Sequence, residues 1–386
     1  MRDGPTSKVN VMSVRKIAIT RAEVDKSLYE SNRRYGTGRR SIASTLRKVF
    51  LGTTVAVSLL TAVSPAFASS KAVVKPSHIP GIVKRDFAVN NEANATLSYS
   101  LQASHEQGTS LAMDDAAFRA DRLSGYPTLD GARYYPFTGS NVSTSLPFQT
   151  SYPAQFAVLT RTVAPGTPTA PSACRGTGGL LVEQKDTAKS NWRVTLEPNV
   201  PVVTAVPNFD VGSPGYGHFI SLDKAPALTN LPSKLIAGLY SRARTGVGGP
   251  LLPASAFAGG CTHLGMGDPH TDVGTTNGLT SSFTASTLAP SDLVIYATKG
   301  GGALVMFTVR ENVSQRPPAG DEILRRHQTS IGLAILNLLP AGHYGTVTWT
   351  IDQQVAIAVP STTSSANARI VGSCSGIVSI SGTPAA

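Results

Sequence analysis

The stretch LLVEQKDTAKSNWRVTLEP, residues 180–198, constrains the fold more than any other part of the chain. Two short runs flank the polar, turn-prone sequence DTAKS, and in the second run Trp192, Val194 and Leu196 alternate with polar neighbours. That period of two predicts an antiparallel hairpin with one face against a core. Gln155–Val163 predicts a strand before it, across a loop rich in Pro, Thr and Gly. Further strands are expected at 283–288, 292–298 and 303–310, the last two around Gly300-Gly301-Gly302, and then at 347–351, 354–359, 370–374 and 377–380.

Helical spacing precedes each strand group. Asn90 or Asn91 can cap a helix carrying Ala93, Leu97, Leu101 and Ser104 on one face and ending at Gly108. A second helix is predicted in TSLAMDDAAFRADRL. Pro232 opens another, through Arg244, with Leu235, Leu239 and Ala243 at i, i+4 and i+8. Residues 321–339 also read as helix. Helices followed by an antiparallel meander, twice, predict an α+β protein built as a tandem pair of helix-plus-antiparallel-sheet units. Nuclear-transport-factor-like and cystatin-like folds are two forms of that architecture. The expected boundaries are a basic leader with signal peptide over 1–68, a linker over 69–87, and α+β domains over 88–225 and 226–386.

The charge is unevenly placed. The chain has 386 residues, 34 Lys+Arg and 23 Asp+Glu, a formal net charge of +11. Residues 1–48 hold twelve basic and four acidic residues, a net of +8, and residues 49–70 (VFLGTTVAVSLLTAVSPAFASS) hold no charge. A basic segment, an apolar segment, Pro65 and then Ala66-Phe67-Ala68 form a secretory signal, with cleavage expected after Ala68. If uncleaved, the leader would be the membrane anchor. Arg39-Arg40-Ser41-Ile42 resembles a twin-arginine signal, so both Sec and Tat export stay open. The remaining 318 residues carry only +3, which argues against nucleic acid as a partner. The predicted address is secreted or cell-envelope.

Outside the cell, two of Cys174, Cys261 and Cys374 are expected to pair. Three pairings are open, and Cys261 with Cys374 is preferred because both lie in the second half. Cys261, His263, Asp268, His270 and Asp272 gather potential metal ligands in one loop, although their spacing matches no standard zinc site. Gly372-Ser373-Cys374-Ser375-Gly376 has nucleophile-elbow spacing, but no His follows it. It reads as a Gly-edged strand. Asp114 and Asp115 diverge on their helix, and nothing in sequence indicates that Glu106, Asp121, Glu183 or Glu197 meet. Glu106 and Glu183 are expected to be solvated. Tyr134, Tyr135, Phe137 and Tyr152 are expected in the core. No phosphate loop or dinucleotide fingerprint is present, so no cofactor is expected.

NEANATLSYSLQASHEQGTSLAMDDAAFR, YYPFTGSNV, YPAQFAVLTR and GGLLVEQKDTAKSNWRVTLEP resemble an uncharacterised family of actinobacterial exported, cell-envelope proteins carrying a domain of unknown function. The resemblance spans roughly residues 88–381. It implies envelope location but no activity and no functional residues. The sequence reading is therefore a non-enzymatic binding protein for an envelope ligand or protein. The alternative is an extracytoplasmic hydrolase, metal-dependent through the 261–272 loop.

Overall fold

A computed structural model describes residues 16–18, 72–125, 138–163, 178–252, 274–276, 279–287, 293–327, 331–361 and 368–385. The helical elements are α1 (Ile79–Thr96), α2 (Tyr99–His105), α3 (Gly108–Leu123) and α4 (Leu231–Thr245). The strands in chain order are β1 (Lys16–Ala18), β2 (Thr138–Ser145), β3 (Ala154–Val163), β4 (Gly178–Lys185), β5 (Arg193–Leu196) and β6 (Asn199–Val200). They continue with β7 (Gly274–Thr276), β8 (Leu279–Thr287), β9 (Val294–Thr298), β10 (Gly302–Arg316), β11 (Glu322–Arg325), β12 (Gly342–Val359) and β13 (Arg369–Pro384).

Among the described residues all thirteen strands belong to one sheet, whose main path runs β2-β3-β4-β6-β13-β12-β10-β8-β7. Its pairings are antiparallel except for β1 with β11. This corrects the expected tandem α+β units. The early strands join the late ones directly, where β6 pairs β13 through Asn199 and Ser373. The meanders on either side of residue 225 are parts of one sheet, so neither forms a separate unit of the expected nuclear-transport-factor-like or cystatin-like kind.

The sheet curves so that β3 and β4 pack against β9, β10 and β12. Ala157, Leu159, Leu180 and Val182 of β3 and β4 share a core with Leu304, Met306, Ala356, Ala358 and Tyr296 of β10, β12 and β9. Because successive side chains alternate faces, the neighbours Phe156, Val158 and Leu181 point outward. There Ile79, Val83 and Phe87 of α1 cover them. Likewise Val305, Phe307, Val355 and Ile357 point outward under Leu231, Leu235 and Leu239 of α4. One inner core and two helix-covered outer faces result.

Local chemistry sets the helix ends. α4 has Pro232 in its first turn and Gly246 at φ 75°, whose N–H bonds back to the Arg242 carbonyl; both are standard end signals. The expected single helix through Gly108 is broken instead. Leu97 takes a left-handed conformation at φ 49°, and Ser98 accepts a bond from the Leu101 N–H to cap α2. α1 also begins at Ile79, inside the stretch read as linker. Over 321–339 the expected helix is replaced by strand β11 and the 3-10 segment Ile331–Leu338. Ile323 and Arg325 are buried at period two, not at helical spacing.

Residues 208–220 lace the free edge of β9 to the end of β2. Ile220 and Asp210 donate N–H groups to the Ile295 and Ala297 carbonyls, and the Gly217 N–H donates to Leu146 O at 2.8 Å. The inner core is thereby closed along that edge.

Candidate functional site: a polar cleft backed by buried acids

Glu106 follows α2 at its C-terminal cap, and its own N–H bonds to Gln102 O. The next residue, Gln107, donates its N–H to Val194 O of β5 at 2.9 Å. This crossing sends the two side chains to opposite sides of the chain. Gln107 and Gly108 line a cleft of about 210 Å³ together with Gln155, Gln184, Asp186, Thr195, Leu196 and Val294. Gln155 and Gln184 sit opposite each other in the β3–β4 ladder, at the open end of the inner core.

Asp186 anchors the rim of this cleft. Its carboxylate accepts from Gln184 Nε2 at 2.7 Å and from Arg193 Nη2 at 2.5 Å. These bonds, the Gln184 one foremost, hold its pKa below the usual carboxylate value. The cleft therefore presents one fixed carboxylate among primary amides, each able to donate and accept.

Behind the cleft lie several carboxyls with few partners. Glu183 is fully buried and neither of its oxygens has a hydrogen-bond partner; Glu106 is 1% exposed with Oε2 unpartnered. Asp114 and Glu197 are half-buried. Gln102 Nε2 donates to Asp114 Oδ2 at 2.5 Å, and Glu197 donates its N–H to Gln354 Oε1 at 2.6 Å. Gln354 also ties β12 to the first turn of α3 through Thr109 Oγ1 (2.9 Å) and Ser110 Oγ (3.0 Å).

Loss of water around these groups is the main force on their protons, and mutual repulsion adds to it. Burial, then Asp114 and Glu197, raise the Glu106 carboxyl well above its ordinary value. Burial, then Asp86 and Glu197, do the same to Glu183. Asp114 is raised to about 6 and Glu197 to about 8, in both cases chiefly by burial. Glu197 acts electrostatically on both Glu106 and Glu183, and the expectation that those two are solvated is overturned by their burial. Asp121 lies two turns further along α3. The missing signal is α1: Glu183 falls on the sheet face that α1 covers, and Asp86 of α1 pairs there with His105 at 2.9 Å.

Cys374 lies on β13 opposite Gln354. It is a free thiol, and no disulfide forms among the described residues. The expected pairing with Cys261 is not shown; Cys261, like Cys174, lies outside the described residues. Burial first, then Glu197, Asp114 and Glu106, push its thiol up to about 12. A thiol so placed cannot supply a thiolate nucleophile near neutrality. The flanking glycines serve packing: a Cβ on Gly372 would come 2.9 Å from Asn199 O, and one on Gly376 3.0 Å from the Met113 side chain.

The metal candidates His263, Asp268, His270 and Asp272 lie outside the described residues, as do the cleavage-site residues Ala66 and Ala68. Among the described residues no group of three or more His, Cys, Asp or Glu side chains is arranged to hold a metal ion. Of the four loop aromatics, Tyr152 is described, and it is 37% exposed rather than core.

Comparison with known proteins bears on this geometry. The profile of DUF8094, a domain of unknown function, matches residues 78–381. The chain belongs to the DUF8094 family. The match takes in α1 to α4, the acid group, the cleft and the sheet from β2 to most of β13, so the site lies within the DUF8094 domain. No curated protein and no solved structure matches the chain.

Proposed function

We propose that this DUF8094 protein is an exported cell-envelope protein that works by binding a small neutral ligand in the Gln107–Gln155–Gln184 cleft. The observation that carries the reading is the cleft itself: three amides and one fixed carboxylate converge on a cavity of about 210 Å³. That size lies below the roughly 300–1,000 Å³ typical of drug-sized sites, so the ligand is no larger than a single sugar ring or amino acid. Amide side chains match hydroxyl and amide groups, which donate and accept at once. The thiol nearest the acids is held protonated, which favours binding over nucleophilic catalysis.

Isothermal titration and NMR shift mapping with a panel of monosaccharides and amino-acid amides test the reading. Saturable binding that shifts the Gln155 and Gln184 side-chain amides, and weakens at least tenfold in Gln184→Ala, is expected. Absence of any saturable ligand at that cleft contradicts it, and turnover of a panel compound replaces it with an enzyme. The export part rests on the basic and apolar leader. Protein recovered outside the cell is expected to begin at Ser69, and a full-length cytoplasmic product overturns that part.

A further inference from the structure

The acids described above share one location: the contact between the helices α1–α3 and the sheet. Glu106 ends α2 and Asp114 lies on α3; facing them are Glu183 on β4, Glu197 between β5 and β6, and Cys374 on β13. α1 contributes Arg85 and Asp86, and α2 contributes His105. These three side chains, with Ile82, Glu183 and Trp192, line a water-sized cavity of about 10 Å³.

Acceptors dominate this interface. The oxygens of Glu183, Oε2 of Glu106 and Oε1 of Gln102 are all buried without a partner. His105 engages Asp86 through Nδ1, while its Nε2 is buried without a partner. A buried carboxylate without a donor is costly, whereas a protonated one is uncharged and itself becomes a donor. Charging two or more of these groups would place like charges on both sides of a single packed contact.

We propose that the contact between helices α1–α3 and the sheet is a proton-operated latch, closed while its facing carboxyls are uncharged and opened by their ionisation. Three helices on one side are held at these groups against β4, β12, β13 and the link between β5 and β6, with Gln354 supplying the β12 contact. α4 is packed on the opposite outer face against an apolar core and carries none of the acids. Ionisation therefore acts on one half of the molecule's helical covering and leaves the other in place.

The sign follows from linkage. A carboxyl whose folded pKa is raised gives stability that is complete below its unfolded value and lost as pH rises through its folded value. Asp114 acts over the interval from 3.8 to about 6, and Glu197 from 4.5 to about 8. For Glu197 alone, raising the pH from about 6 to about 9 increases opening by up to about a hundredfold.

Amide hydrogen exchange of the intact chain tests the latch. After correction for the intrinsic rate, residues 79–123 are expected to lose protection by tens- to a hundredfold between pH 6 and pH 9. Residues 303–307 and 355–359, under α4, should stay protected. Glu197→Gln should shrink the change at least tenfold. Equal protection at both pH values overturns the proposal, as does an equal loss in both regions or an undiminished change in Glu197→Gln. If that variant does not fold, the wild-type urea midpoint decides: a fall from pH 6 to pH 9 supports the latch, and a flat profile overturns it. Sugar and amino-acid binding at the cleft is read separately, so failure of either proposal leaves the other standing.

Discussion

Gly217 packs against Ser145 so closely that a Cβ on the glycine would lie 2.3 Å from the serine Oγ and 3.1 Å from its Cα. The same glycine donates its N–H to Leu146 O, so the tie between residues 208–220 and the end of β2 depends on this close approach. Gly217→Ala is expected to destabilise the fold by about 1–3 kcal/mol, the usual cost of overpacking. Urea unfolding measures it. Ser145→Gly in the same chain should recover part of the loss, because it removes the nearest atom.

Arg310 grips Asp352 across the β10–β12 ladder with two bonds of 2.6 Å each. The Asp352 side chain is fully buried, while that of Arg310 is 37% exposed. Arg310→Ala would strand the carboxylate in the sheet. Its expected cost is about 3 kcal/mol, the lower end for breaking a buried pair. Asp352→Asn with Arg310→Ala should cost less than Arg310→Ala alone, because the stranded charge is gone. A double-mutant cycle by denaturant unfolding reads this coupling.

Leu235 of α4 is fully buried, in one core with Val305, Phe307 and Ile357 of the sheet. Leu235→Ala is expected to cost about 2–5 kcal/mol through lost burial and the cavity left behind. A thermal or urea transition unchanged from wild type would contradict the placement of α4.

Cys374 is expected to be a slow thiol. With its acidity pushed to about 12, iodoacetamide at pH 8 should modify it in the native protein far more slowly than in urea. Replacing Glu197 by Gln should speed the native reaction, since the repulsion that disfavours the thiolate is reduced. Rapid native labelling would contradict the packing of β13 against the acids.

Much of the strand framework was legible because its alternation is strong. The hairpin at 180–197 forms as β4 and β5, with the turn held by paired Thr187 and Ser190 bonds. The Pro232 helix forms as α4 within a residue of its expected ends. The polar interruptions misled. Asp352-Gln353 and Ser375-Gly376 look like turns, yet β12 and β13 run straight through them. Asp352 is bound by Arg310, and the adjoining Gln354 by α3, inside the sheet. Joining both meanders into one sheet depends on the single β6–β13 pairing, a long-range contact with no local signature.

The acid group was hidden for a related reason. Glu183 sits in a hairpin whose alternation assigns it to the outer face, and an outer face reads as solvent until something covers it. α1 does so from a segment that begins with His78-Ile79-Pro80-Gly81, which resembles a linker. The cleft was equally out of reach, because Gln107, Gln155 and Gln184 come from three separate elements.

The protonation of Glu183 and Glu197 decides the account most directly. Carboxyl ¹³C NMR of glutamate-labelled protein, titrated from acid to alkaline pH, reads it, with Glu183→Gln and Glu197→Gln assigning the signals. The account predicts that Glu183 titrates well above the ordinary glutamate range and that Glu197 titrates near 8. Two signals that titrate with ordinary glutamates, ionised well below neutrality, would contradict it.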